Sequence, residues 1–349
     1  MINLFRNPIA IVVCVLVFFT SALIHSEEIL QSALPSDTSA KTPERIVVLY
    51  PMPFGIVFVL DLEDRIASIP KMQIGMPDNK LGKFYLTFAP GLANAVDVGL
   101  SSSPNLETLL KTDPDLVLGS ETDEHSSTAL KVLRENKVPI LLLKGGFGSV
   151  EEWLSAINKM GKATGRLERA QQYDAFFRQR LKLVQDRLAE VPLAKRPKVA
   201  LLNTAGSQMI IRGSRTSFAY DLISLAGGRL MEKGDDPAES AGCAELMFAF
   251  DPDLIIDDSK IDVFYKASWW NSLRAVQEKK VYKTPADDKQ AWITNWFLST
   301  YSPVGLLWLA KIIHPEKFKD IDLQAEHKAF CQMMYGRSFP HAGTGFAEK

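Results

Sequence analysis

Five histidines and three cysteines are the chain's supply of strong metal ligands and nucleophiles. His125, His314, His327 and His341 are scattered, and none is spaced as a ligand pair or a triad member. His314 precedes a proline at a helix end, and His327 reads as part of a polar face between Glu326 and Lys328. His125 follows the strand-like run DLVLG, where open α/β sheets take their ligands. Neither a CxxC nor a Cys/His cluster is legible, so no metal site is assigned. Cys14 lies in an apolar leader. Cys243 and Cys331 remain, and their spacing leaves a disulfide and two buried thiols both open. No G-x-G-x-x-G loop, P-loop or G-x-S-x-G elbow follows a strand. GGFGSV (145–150) comes nearest and reads as a strand-to-helix turn. No catalytic residue and no cofactor are therefore assigned, and the chain is read as a non-enzyme.

Recognition chemistry is better supplied. IRGSRTSF places Arg212 and Arg215 just after a strand, with Phe218 beyond them. Guanidinium groups so placed suit carboxylate or catecholate oxygens, which they bind through paired charged hydrogen bonds. Other segments expected beyond strand ends carry aromatics and methionine: Tyr50, Met52 and Phe54 in YPMPF, and Met72, Met76, Phe84 and Tyr85 in the insertion KMQIGMPDNKLGKFYLTF. Trp292 and Trp296 follow in AWITNWF. Such side chains make an adaptable wall for a large apolar or planar ligand. Phe54, Phe218 and Trp296 fit equally well as core residues, and Trp269 and Trp270 read as packing a helix start.

One phrase occurs twice. ETLLKTDPDLVL (107–118) and ELMFAFDPDLII (245–256) each begin with a glutamate, Glu107 or Glu245, at the same spacing before DPDL. Each reads as a short helix with an acid near its start, an Asp-Pro break, and then a strand. A carboxylate in a first helical turn is favoured by the helix dipole without any partner.

The elements that must position these residues follow from periodicity. Strands are expected at 45–50, 65–69, 115–119 and 139–143, with a helix carrying Ala129, Leu130 and Leu133 between the last two. Ser149 followed by Glu152 is a capping box that opens a helix to about Ala163, weakened and ended by Gly161 and Gly165. From 166 to 191, Leu167, Ala170, Tyr173, Phe177, Leu181, Val184, Leu188 and Val191 recur at steps of three and four. That predicts one amphipathic helix ended by Pro192, spanning roughly 35–40 Å. The α/β pattern then restarts with strands at 198–203, 208–213, 253–257 and 279–284, a helix in SFAYDLISLAGG, and a closing helical region. Strands alternating with helices imply parallel βαβ units. The fold class is thus α/β: two Rossmann-like lobes with parallel sheets, joined by a long backbone helix, with a ligand cleft between them.

The expected organisation is a signal peptide at 1–26, a polar leader at 27–43, a first lobe at 44–146, a helical region at 147–196, a second lobe at 197–340 and a tail at 341–349. The first segment has Arg6, an apolar run and small residues at Ser21, Ala22 and Ser26, the pattern of secretory export. With 349 residues, 46% of them hydrophobic, the chain is long enough for two cores. A formal net charge of −1 speaks against a nucleic-acid partner.

RIVVLYP, NLETLLKTDPDLVL, SFAYDLISLAGG, AELMFAFDPDLII and WWNSLRAVQEKKVYKTP, in this order, resemble the periplasmic substrate-binding proteins of ABC importers for iron–siderophore, cobalamin and haem complexes. The resemblance covers about residues 44–340. It implies a monomeric periplasmic protein that captures a chelated metal complex, a ferric siderophore first, then a corrinoid or haem. It also implies that Glu107 and Glu245 dock on arginines of a two-fold permease dimer, which works with its ATPase. Relatives that bind bare zinc or manganese present clustered histidines, and this chain departs from that pattern. Cluster-bearing enzymes with similar paired lobes need more cysteines than it has.

Overall fold

The computed structural model describes residues 42–70, 89–100, 103–121, 128–143, 148–205, 208–211, 217–231, 243–257, 264–265, 268–287, 295–297 and 299–336. The first lobe contains β1 (Ile46–Val48), β2 (Ile66–Ile69), β3 (Val96–Asp97), the short ribbon β4 (Gly99–Leu100) and β5 (Ser103–Pro104), β6 (Leu116–Ser120) and β7 (Ile140–Leu143). Its sheet runs β3-β2-β1-β6-β7 and all its pairings are parallel. Every residue of β1 and β6 is buried, because helices cover both faces of a central parallel strand and alternation is lost. The second lobe has β8 (Lys198–Ala205), β9 (Gln208–Ile211), β10 (Arg229–Leu230), β11 (Leu254–Asp257) and β12 (Val281–Lys283). Its parallel order is β10-β8-β11-β12, with β9 folded back antiparallel on β8, a departure from a purely parallel reading.

Ten helices accompany the strands among the described residues: α1 (Pro51–Val59), α2 (Leu106–Lys111), α3 (Thr128–Glu135), α4 (Val150–Ala163), α5 (Leu167–Leu188), α6 (Phe218–Leu225), α7 (Cys243–Phe250), α8 (Arg274–Gln277), α9 (Ser302–Ile313) and α10 (Leu323–Tyr335). The YPMPF segment, expected beyond the end of the first strand, opens α1. Tyr50 holds its N-cap in extended backbone, and Pro51 opens the first turn, where a missing N–H costs nothing. Phe54 to Leu60 are all buried, so α1 is apolar on every side and shows no helical stripe.

Ser149 caps α4 as expected, accepting from the Glu152 amide at 3.1 Å. Gly161 has a further role at the α4–α5 crossing. A Cβ there would sit 2.7 Å from that of Ala170, so the close approach of the two helices requires glycine. Gly165 makes the turn between them with φ +68°.

Helix α5 buries Ala170, Tyr173, Phe177, Leu181, Val184 and Leu188 as one stripe. It packs on α4, α6, α9 and α1, and a single apolar core runs from α1 through α5 to α6 and α9. The Tyr173 hydroxyl donates to the Thr300 carbonyl at 2.8 Å and accepts from Trp153 Nε1 at 3.2 Å. Polar ties continue along the helix, Arg169 to Asp61 and to the Met334 carbonyl, Arg180 to Glu326, and Arg187 to Asp320. Asp221 on α6 accepts from the Val150 amide of α4 at 2.7 Å, so an acid of the second lobe caps a helix that leads out of the first. This continuous core opposes hinge bending between the lobes.

The repeated phrase is a repeated joint. Asp113 and Asp251 both take left-handed backbone, φ 47° and 45°, a region aspartate tolerates better than most residues. Asp115 accepts from the Glu44 and Arg45 amides, and Asp253 from the Lys198 amide at 2.7 Å. The basic side chains at these strand starts reach back to the preceding helix. Arg45 donates to the carbonyls of Thr112 and Asp113, and Lys198 to that of Phe250. Each lobe thus fastens the C-terminus of its Glu-bearing helix to its first strand with the same parts. Burial opposes ionisation of Asp253, but the Lys198 amide and the Arg274 guanidinium outweigh it and hold its carboxyl below the usual range.

Candidate functional site

In an open parallel sheet the ligand crevice lies beyond the strand C-termini, where the strand order reverses. In the first sheet that point falls between β1 and β6, in the second between β8 and β11. At the first, α1 starts directly after β1. Its prolines at 51 and 53 carry no amide hydrogen, so Met52 and Phe54 supply the amide donors of the first turn. Tyr50 is half-buried there, packed against the core. Ser120, the last residue of β6, is fully buried, and Glu121 beyond it is exposed.

At the second point, Asp257 ends β11 and is fully buried, with its carbonyl accepting from the Thr284 amide at 3.3 Å. Leu202 of β8 stands opposite both Asp257 and Ile211. The chain therefore leaves β9 level with the C-terminal end of β11, and Arg212 follows at once. It re-enters described structure at Ser217, which caps α6 by accepting from the Tyr220 amide at 3.2 Å.

The residues expected from sequence to meet a ligand are distributed as follows. Tyr50 is at the first crevice, and Met52 lies in the first turn of α1. Phe54 is 0% exposed and stands edge-on to Phe58, Phe218 is 3% exposed against Trp153, and Trp296 is 4% exposed, stacked on His327. All three are packing residues in this structure, the alternative their sequence context had left open. Met72, Met76, Phe84, Tyr85, Arg212, Arg215, Trp292 and His125 lie outside the described residues, as do the 1–26 segment, the leader up to residue 41 and the tail. Trp270 packs on Phe264 at the entry to α8, as expected. Glu107 and Glu245 are both exposed in the first turns of α2 and α7. Glu107 pairs with Lys111 at 2.6 Å, and Glu245 is followed by the exposed apolar side chains Leu246 and Phe248.

Two features went unseen in the sequence. His327 is not on a polar face: it is 2% exposed, its Nε2 lies 2.7 Å from Asp287 Oδ2, and Cys331 Sγ is 3.4 Å from the same nitrogen. Histidine and cysteine four apart on a helix share one face, which was the available signal. Cys331 is a buried thiol, not half of a disulfide with Cys243. The second feature is a cavity of about 360 Å³ lined by Asp61, Glu63, Arg169, Tyr335 and neighbouring α10 residues. Glu63 precedes the N-terminal end of β2, so this cavity lies at the edge of the sheet opposite the crevice. Burial raises the Glu63 carboxyl from 4.5 to about 7.

No helix among the described residues is long and apolar enough to cross a membrane. A family profile described as periplasmic binding protein matches residues 46–287. The molybdate-binding protein MolA of Haemophilus influenzae is 27% identical over 322 residues, 84% of this chain and 87% of that protein. The Fe(3+)-citrate-binding protein YfmC of Bacillus subtilis is 21% identical over 277 residues, covering 78% and 80%. Among solved structures, the TroA-like periplasmic binding protein FepB of Veillonella parvula superposes with a TM-score of 0.67 at 20% identity, covering 87% of this chain and 94% of that one. The chain shares the fold of that protein over 87% of its own length, and it belongs to the periplasmic binding protein family, the substrate-binding proteins of ABC importers.

Proposed function

We propose that this protein captures an anionic complex of a metal with oxygen ligands, a ferric siderophore or a related ferric chelate, and delivers it to an ABC permease dimer and its ATPase. The observation that supports this reading is the register of the second sheet, which brings Ile211, the residue before Arg212 in sequence, level with the C-terminal end of β11. Two guanidinium groups in that segment suit the carboxylate or catecholate oxygens of a chelate. The amides opening α1 add a partial positive charge at the other crevice. The continuous core along α5 favours a bulky, pre-formed ligand, because little closure is available to wrap a small one. The relatives named for Fe(3+)-citrate and molybdate are both named for anions built from a metal and oxygen.

Molybdate itself is the second reading, favoured by the 27% identity to MolA. Corrinoid and haem complexes are further arms of the same test. Tryptophan fluorescence is titrated with a panel of ferric siderophores, ferric citrate, cobalamin, haem and molybdate. Saturable quenching by an iron chelate at micromolar concentration is expected, and its absence across the iron panel overturns the reading.

Delivery rests on Glu107 and Glu245. They occupy equivalent joints of two lobes, and a two-fold permease needs matching charges, one from each. Export by the 1–26 segment, with cleavage near Ala22 or Ser26, puts the mature protein in the periplasm as a monomer. N-terminal sequencing of the mature protein checks the cleavage.

A further inference from the structure

We propose that Asp287, His327 and Cys331 bind one divalent cation of the zinc type. The three ligand atoms all lie within 4.8 Å of one another and come from three residue types that zinc accepts together. In a tetrahedral zinc site the sulfur–nitrogen edge is about 3.5 Å and the nitrogen–oxygen edge about 3.3 Å. Cys331 Sγ already stands 3.4 Å from His327 Nε2. The Nε2–Oδ2 distance of 2.7 Å must open slightly as the metal replaces the hydrogen bond. On binding, the thiol proton leaves to solvent, the imidazole carries its proton on Nδ1, and the carboxylate and thiolate supply two negative charges.

Supporting groups are in place around the cluster. Trp296 Nε1 donates to Asp287 Oδ1 at 3.1 Å, orienting the carboxylate so that Oδ2 faces the imidazole. The Trp296 ring stacks on His327 at 5.1 Å with an interplanar angle of 19°, fixing the plane of the ligand. Asp287 keeps a side chain 11% exposed, so the cluster is one layer below solvent.

The position gives the metal a task. Ala286 bridges Asn295, and the Trp296 amide donates to the Pro285 carbonyl at 2.9 Å, so Asp287 sits at the neck of the 287–295 segment. His327 and Cys331 belong to α10, which Arg180 and Glu326 fasten to the interlobe helix. A cation there bolts the neck to the rigid frame of the molecule.

The test uses the mature protein, reduced and stripped of metal with a chelator, and titrated with Co²⁺. One equivalent should bind with thiolate-to-cobalt charge-transfer absorption, and Zn²⁺ should abolish the spectrum by displacement. Cys331→Ser should remove the charge-transfer band while Cys243→Ser leaves it intact. Trp296→Phe, which takes away the orienting donor and part of the stacked ring, should weaken Co²⁺ roughly 10–100-fold. Zn²⁺ should raise the melting temperature of the wild type and not that of Cys331→Ser. Absence of the charge-transfer band in the wild type, or its survival in Cys331→Ser, overturns the proposal. Neither result bears on which chelate fills the crevice.

Discussion

Replacing Tyr173 with phenylalanine probes the frame on which the two lobes are held. The ring stays, so its contact with Phe177 at 6.3 Å and the apolar burial are kept. What is lost is the hydroxyl that donates to the Thr300 carbonyl at 2.8 Å and accepts from Trp153 Nε1 at 3.2 Å. Both partners are in the buried core, where a polar group deprived of a hydrogen bond costs about 1–3 kcal/mol. The two together give about 2–6 kcal/mol. In a chain of this size that corresponds to a fall in melting temperature of roughly 4–12 °C. Urea unfolding should show a lower midpoint with an unchanged slope, since the variant exposes the same surface on unfolding. Because the hydroxyl is fully buried in the core, chelate affinity should change less than about twofold. A loss of stability below about 1 kcal/mol would falsify the view that this bond joins α4, α5 and the entry to α9.

Glu63 gives a pH prediction with a definite sign. Burial raises its carboxyl from 4.5 to about 7, and Oε2 is without a hydrogen-bond partner. The protonated form is the one the fold favours, so its contribution is complete below about pH 4.5, declines as pH rises towards 7 and is lost above, by up to ~3 kcal/mol. The gap between urea midpoints at pH 5 and pH 8 should shrink in Glu63→Gln, and an identical gap in both proteins would rule out the assignment. Replacing Arg212 and Arg215 together with alanine should weaken the chelate by about 1.5–3 kcal/mol for each charged hydrogen bond lost, read by fluorescence titration, with the fold retained. Unchanged affinity would put both on the outer surface. Reversing Glu107 and Glu245 together to lysine should abolish uptake while ligand affinity and melting temperature stay close to wild type. Continued transport would reduce the repeated phrase to a structural joint.

Much of the frame could be read from sequence because single-residue signals agreed with periodicity. Ser149 and Glu152 located the start of α4, and the stripe from Ala170 to Leu188 located α5. The aliphatic runs at β1, β6 and β11 are too short for helices and are buried on both faces. Helix α1 escaped because an element that is apolar all round has no period to detect. Strands of two residues, such as β3 and β10, are shorter than any pattern. At His327 the neighbours in sequence misled, since Glu326 and Lys328 point to other sides of the helix. Its true companions are Leu323, Phe330, Cys331 and Met334, all buried. Asp287, distant in sequence, joins them through tertiary structure alone. Of the expected ligand contacts, Tyr50 is half-buried just after β1, whereas Phe54, Phe218 and Trp296 went into the core, the usual fate of large aromatics.

The most direct measurement is elemental analysis and mass spectrometry of the protein isolated without denaturation from its native periplasm. The account predicts stoichiometric iron together with a released organic chelator bearing carboxylate or catecholate groups, alongside any zinc held by Asp287, His327 and Cys331. Stoichiometric molybdenum with no organic ligand, or an iron-free metabolite, would contradict it.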